Sequence, residues 1–194
     1  MTGSSGFIGT HLTERLEKDH TIYHLKNDLL NFEDVEHEVL SQQPDIIVQI
    51  NYVGTVNLIE SACKLEKKPY FVFASTMEVY GWQPISDLIK DGLIPDTIPA
   101  FDEETEPHPN APYAVAKLAC EKYLEYAHRA QGLDYAFIRQ TNAYGRKDND
   151  FFVTEQIISQ MIKNPAEINL GYAEPYRNFI YIDDLLDAWV TVIT

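Results

Sequence analysis

The sequence predicts an α/β protein built on a parallel, doubly wound sheet, and three observations carry that expectation. Runs rich in apolar, β-branched or aromatic residues alternate with segments of helical periodicity, in the order of repeated βαβ units. Two of those runs, Asp-Ile-Ile-Val-Gln-Ile at 45–50 and Tyr-Phe-Val-Phe-Ala-Ser at 70–75, are almost continuously apolar, as strands are when helices cover both sheet faces. A length of 194 residues suits one domain with one core.

Along the chain, helical periodicity over Phe7–Lys18 precedes an apolar run at Thr21–Leu25 that reads as a strand. A helix over Glu33–Ser41 leads into the strand Asp45–Ile50, and a helix over Val53–Glu66 into the strand Tyr70–Ser75. Gly81–Ala111 contains five prolines and several acids, and a loop of this length in a compact domain is functional or a lid. Pro112–Ala130 reads as a helix, Asp134–Gln140 as a strand, Val153–Lys163 as a helix, Asn178–Ile182 as a strand and Asp183–Ile193 as a helix.

The balance of 15 Lys and Arg against 30 Asp and Glu leaves a net charge of −15, which repels phosphate backbones and argues against nucleic acid as a partner. No apolar run approaches the roughly 20 residues of a membrane span, so no membrane partner is expected. Cys63 and Cys120 both fall in helical segments, and Met1-Thr2-Gly3 opens no signal segment, which reads as a reducing, cytoplasmic setting. His20 and His24 share a strand segment with no third ligand, so no metal site is expected.

Three motifs carry chemistry. Gly3-Ser4-Ser5-Gly6-Phe7-Ile8-Gly9 opens a helix with GxxGxxG spacing, expected by chance only about 0.02 times in a chain of this glycine content. Such glycines permit a tight turn, close approach to a pyrophosphate and close helix–sheet packing, with the helix N-terminus facing the phosphates. Only Met1 and Thr2 precede Gly3, so the strand that normally leads into this turn is expected to be missing. Tyr113-Ala114-Val115-Ala116-Lys117 places a phenol and an ammonium one helical turn apart on one face, where the cation would lower the phenol pKa from about 10. About 0.6 such pairs arise by chance in this composition, so the pair gains meaning from context. That context is Ala74-Ser75-Thr76-Met77-Glu78-Val79-Tyr80-Gly81, which sets hydroxyls and a carboxylate at the carboxyl end of an apolar strand, where ligands bind in open α/β sheets.

Together with 51–60 (Asn-Tyr-Val-Gly-Thr-Val-Asn-Leu-Ile-Glu), 139–145 (Arg-Gln-Thr-Asn-Ala-Tyr-Gly) and 177–184 (Arg-Asn-Phe-Ile-Tyr-Ile-Asp-Asp), these motifs resemble the extended short-chain dehydrogenase/reductase family, the NAD-dependent epimerases and dehydratases of nucleotide sugars. The resemblance runs over nearly the whole chain. It implies a Rossmann-like fold over 1–194 as a single NAD(P)-binding domain, with the substrate-binding region beginning at about 145. Most of that region is expected to be absent, because the chain reaches Thr194 soon after Asp183-Asp184.

Ser-Thr-x-Glu-Val-Tyr-Gly followed by a long loop before Tyr-x-x-x-Lys is most similar to the nucleotide-sugar 4,6-dehydratases of the GDP-mannose or dTDP-glucose type. By that resemblance Thr76, Glu78, Tyr113 and Lys117 are the catalytic set. Tyr113 would take the sugar 4-hydroxyl proton, with Thr76 on the same oxygen. Lys117 would lower the Tyr113 pKa and hold the cofactor ribose, while Glu78 would remove the C5 proton before water leaves C6. Gly3, Gly6, Phe7, Ile8, Gly9, Asp28 and Ser75, with Tyr113 and Lys117, would contact NAD; Lys26 near Asp28 leaves NADP open. Thr76, Asn142 and Arg177 would hold a nucleotide-diphosphate sugar, and the helix at 112–130 matches one through which family members form homodimers.

Met77 departs from the pattern, since dehydratases carry there a group that can protonate the leaving hydroxyl and a thioether cannot. A 4-epimerase or decarboxylase of the same family therefore stays open. So does a catalytically inactive nucleotide-binding paralogue.

Overall fold

The computed structural model describes residues 5–25, 31–42, 46–49, 52–81, 101–145, 152–171 and 177–194, with 46–49 described by their backbone alone. Gly3, Lys26 and Asp28 lie outside the described residues. Helices α1 (Phe7–Leu16), α2 (Phe32–Gln42), α3 (Tyr52–Cys63), α4 (Pro112–Gln131), α5 (Val153–Lys163) and α6 (Ile182–Ile193) alternate with strands β1 (Ile46–Gln49), β2 (Tyr70–Thr76), β3 (Tyr135–Gln140), β4 (Asn142–Tyr144) and β5 (Phe179–Tyr181). A short 3₁₀ turn, Met77–Tyr80, follows β2 directly.

The main sheet runs β1-β2-β3 and both of its pairings are parallel, with Val48 opposite Val72 and Val72 opposite Ala136. A second parallel pair, β4 with β5, sets Ala143 opposite Ile180. Alternation along β2 divides the core in two. Phe71 and Phe73 point to a cluster with Val35 and Val39 of α2, Leu58, Ile59 and Ala62 of α3, and Cys120, Leu124 and Ala127 of α4. Val72 and Ala74 point the other way, to Leu12 and Leu16 of α1 and Leu185, Leu186 and Trp189 of α6. The continuous apolar character of β2 follows from this double burial, and the expected doubly wound parallel architecture is the one found.

The two helices that frame the site have clear local causes. α4 starts at Pro112, whose fixed φ suits the first turn, after Ala111 in extended conformation. It stops at Gly132, which takes φ +70 and returns its N–H to the His128 carbonyl at 2.9 Å. α1 starts from Gly6 with no side-chain cap and no acid in its first turn.

Thr21–Leu25 corrects an expectation, because this segment forms no strand. A strand requires a hydrogen-bonded neighbour, and none of the described strands pairs with it. Its side chains still divide as a strand's would: Ile22 packs on the α1/α6 side and Leu25 on the α2/α3/α4 side. No helix among the described residues is long and apolar enough to cross a membrane.

This layering makes a direct stability test. Phe71 is fully buried at the centre of one core half, whereas Ile162 is 79% exposed on α5. Phe71→Ala should cost about 3–5 kcal/mol and Ile162→Ala no more than about 0.5 kcal/mol, read by urea unfolding.

Candidate active site

β2 delivers its last residues to the carboxyl edge of the sheet, and the 3₁₀ turn bends the chain back over them. Thr76 caps this turn, its hydroxyl accepting the Glu78 N–H at 3.2 Å. Gly81 ends the turn at φ +42, where a Cβ would collide with the His108 carbonyl oxygen, so the returning segment lies directly on the strand end. That segment is held further by the Tyr80 hydroxyl, which donates to the Asp102 carbonyl at 2.8 Å, and by Phe101, whose ring lies 5.3 Å from that of Tyr80.

α4 faces this edge with one stripe, Tyr113, Lys117 and Glu121, each a turn apart. Tyr113 lies near enough to Thr76 and Glu78 for the hydroxyl of one and the charge of the other to act on its phenol. The Lys117 ammonium donates to the Ala74 carbonyl at 2.8 Å and lies 4.9 Å from the Phe73 ring centre and 5.6 Å from that of Tyr113. Glu121, fully buried, accepts the Ser75 hydroxyl and the Arg139 fork, with Nη2 to Oε2 at 2.8 Å and Nε at 3.2 and 3.3 Å from the two oxygens. Arg139 passes the network on through Nη1, which donates to the Tyr80 hydroxyl at 2.9 Å. Thr76, Glu78, Tyr113 and Lys117 are thus brought together at one place.

The Ser75 side chain turns to α4, where it is fully buried on Glu121, so a contact of Ser75 with the cofactor would come from its backbone. One expectation needs correction. Lys117 was expected to lower the Tyr113 pKa, but its ammonium is engaged by a backbone carbonyl beneath the phenol. Burial and the Glu78 charge push Tyr113 above its ordinary value, with the Thr76 hydrogen bond pulling in the opposite direction. Burial also brings Lys117 from 10.5 down to about 8. Glu121 raises the already high pKa of Arg139, so the guanidinium remains charged.

Helix α1 packs on the other face of the sheet, against α6. Phe7 and Ile8 turn their side chains into the α1/α6 core, and Gly9 is buried. With neither acid nor side-chain cap in its first turn, the helix N-terminus suits an anion such as a dinucleotide pyrophosphate. Across β4 and β5, the exposed Asn142 donates Nδ2 to the Asn178 carbonyl at 3.4 Å, which brings Arg177 alongside. Thr141 donates to the same carbonyl at 2.7 Å, and its hydroxyl oxygen lies 3.1 Å from the Met77 sulfur. A separate cavity of about 640 Å³, lined by Tyr52, Pro109, Asn110, Ala111, Pro112, Val115 and Ala116, adjoins the next face of the α4 first turn.

Sequence reasoning missed Glu121 and assigned no role to Arg139 or Tyr80. The available signal was the extension of the Tyr113–Lys117 spacing by one more turn to a carboxylate.

Lys117 gives this geometry a pH signature. Its ammonium form is disfavoured in the folded chain, so between about 8 and 10.5 the unfolded chain holds more protons, and stability rises as pH rises through that window. The full effect is about 3 kcal/mol. Lys117→Met should remove this rise, measured as the difference in urea midpoint between the two chains at each pH.

Comparison with known proteins agrees with this geometry. The chain is 26% identical over 223 residues to GDP-6-deoxy-D-mannose reductase of Pseudomonas aeruginosa, covering 100% of this chain and 69% of the reductase. It is 31% identical over 160 residues to dTDP-glucose 4,6-dehydratase of Haemophilus influenzae, covering 76% of this chain but 43% of the dehydratase. Among solved structures, that of RMD from Pseudomonas aeruginosa complexed with NADPH superposes with a TM-score of 0.77 at 26% identity, over 98% of this chain and 70% of that one. The fold is accordingly Rossmann-like. The model of the NAD dependent epimerase/dehydratase family matches residues 35–194, a span that includes the Tyr113–Lys117 helix and the strand end it faces, and the chain belongs to that enzyme family.

Proposed function

We propose that this family member binds NAD(P) and acts on a nucleotide-diphosphate sugar as a 4,6-dehydratase. The observation that carries the reading is that Glu78 sits in the turn capped by Thr76 at the end of β2, its N–H on the Thr76 hydroxyl, at the strand end that the Tyr113–Lys117 face of α4 packs against. A carboxylate at this point is the group that elimination requires beyond the Thr-Tyr-Lys set. NAD(P) is supported by the α1 N-terminus and by the NADPH complex of a structural neighbour. We read 1–194 as one cofactor-binding domain, with the substrate region starting at about 145, in a reducing cytoplasm and as a homodimer.

The N–H groups at Gly6, Phe7, Ile8 and Gly9 hold the pyrophosphate, with Gly3 and Asp28 completing the dinucleotide site and Lys117 at its ribose. The bound nicotinamide supplies a hydride acceptor that later returns the hydride. Tyr113 removes the proton of the sugar 4-hydroxyl, and Thr76 hydrogen-bonds the same oxygen and fixes it. Once C4 is a ketone, the C5 hydrogen is acidic, and the Glu78 carboxylate takes it as the C6 hydroxyl, protonated by Glu78 or a water, departs as water; the hydride then adds to C6 and a proton returns to C5. Asn142 and Arg177 hold the diphosphate, the guanidinium fork suiting its oxygens.

A second reading, a 4-epimerase or decarboxylase, is favoured by Met77. Its sulfur lies against the Thr141 hydroxyl and has no proton for the departing C6 oxygen, so the proton must come from Glu78 or water.

The test follows cofactor reduction and formation of a 4-keto-6-deoxy product with UDP-, GDP-, dTDP- and CDP-sugars. Glu78→Gln should lower elimination by about 10²–10⁴-fold while sparing reduction of the cofactor, and Tyr113→Phe should lower both. Elimination that survives Glu78→Gln contradicts the dehydratase mechanism. Reduction with no elimination in the native chain favours the epimerase or decarboxylase, and no reduction by any sugar identifies an inactive nucleotide-binding paralogue.

A further inference from the structure

We infer that Glu121 and Arg139 are positioning residues for Tyr113: they fix the height and rotation of α4 on the end of β2, and through them the place of the phenol against Thr76. The inference rests on the reading of Tyr113 as the base. Ser75 and Arg139 are direct partners in the β2–β3 ladder, and Glu121 bonds both, so this carboxylate is fastened across two strands at one rung. Tyr113 and Lys117 are the preceding two turns of the same stripe.

Tyr113 is 55% exposed, so its own packing does not set its position. The other end of the helix approach is held by the same group: Arg139 bonds Tyr80, and Tyr80 bonds the Asp102 carbonyl in the segment that leads to Pro112. A slip of one residue along α4 would move the phenol by about 1.5 Å and rotate it by about 100°. Misplacement of about 1 Å at a reacting group costs on the order of 10²-fold in rate. A buried ion pair stabilises little better than apolar groups of equal volume, but it is specific about geometry, which suits a registry device.

The experiment replaces the polar pair by an apolar one, Glu121→Leu with Arg139→Met, in the full chain. Two readouts are taken: turnover with KM, and the titration of the Tyr113 ring carbon by NMR in tyrosine-labelled protein, assigned through Tyr113→Phe. The folded double variant should keep KM near the native value and lose about 10²-fold in turnover. The Tyr113 midpoint should fall toward the ordinary value of about 10 as the phenol becomes better hydrated and leaves the Glu78 charge, the two influences that raise it. Glu121→Gln with Arg139→Gln, which can rebuild the hydrogen bonds without charge, should recover both. A folded apolar variant with native turnover and native midpoint overturns the inference. Should the apolar pair not fold, Tyr80→Phe, which cuts the link from Arg139 to Asp102, should move the midpoint in the same direction, and an unmoved midpoint overturns the inference. If the native chain turns over no nucleotide sugar, the proposed function fails while the titration still decides the positioning role.

Discussion

The ion pair of Glu121 and Arg139 holds together the elements on which the site is built. Removing both charges from water is costly, and the fork geometry with added bonds to Ser75 and Tyr80 offsets much of that cost. Loss of either partner alone would strand a buried charge, at a cost of about 3–5 kcal/mol. In return, one carboxylate joins α4 to β2 and β3, and one guanidinium joins β3 to the turn after β2. Both the phenol-bearing helix and the strand-end hydroxyl take their positions from this group.

Around it, the two apolar clusters do the bulk of the stabilisation and determine where chemistry can occur. Because β2 buries both faces, its polar residues are confined to its carboxyl end, where Ser75 and Thr76 diverge by simple alternation. One joins the buried network and the other meets Tyr113. Helix α1, packed on the opposite cluster, presents its uncapped N-terminus as a place for negative charge. The proposed hydride-transfer site needs a dinucleotide on one side and an acid–base group on the other, and in that reading α1 and α4, packed on opposite halves of the core, would supply one each.

Much of this architecture was legible from periodicity. Val153–Lys163 was read with the bounds it has, and Tyr70–Ser75 fell one residue short of β2. Thr21–Leu25 was not read correctly, since strand character depends on a neighbour and not on the segment's own residues. β4 and the Met77–Tyr80 turn were missed for a related reason: elements of three or four residues are defined by what they pair with or cap. In the site, Tyr113, Lys117, Thr76 and Glu78 were recognisable as polar groups at a strand end and on a helix's first turns. Glu121 was not, because a carboxylate in an amphipathic helix ordinarily faces water, and only the packing of α4 shows it buried. The side-chain partners of Ser75 and Lys117 were not legible either, because one residue of alternation and one nearby carbonyl decide what each touches.

The central claim is that the first turn of α1 and the Tyr113–Lys117 turn of α4 together form a dinucleotide site. Calorimetric titration of the purified full chain with NAD+ and NADP+, after release of any cofactor that co-purifies, tests it most directly. Binding of at least one of the two in the micromolar range, with one dinucleotide per chain, is the expected result. A folded chain that gives no binding heat with either dinucleotide and is not displaced by them in competition would contradict it.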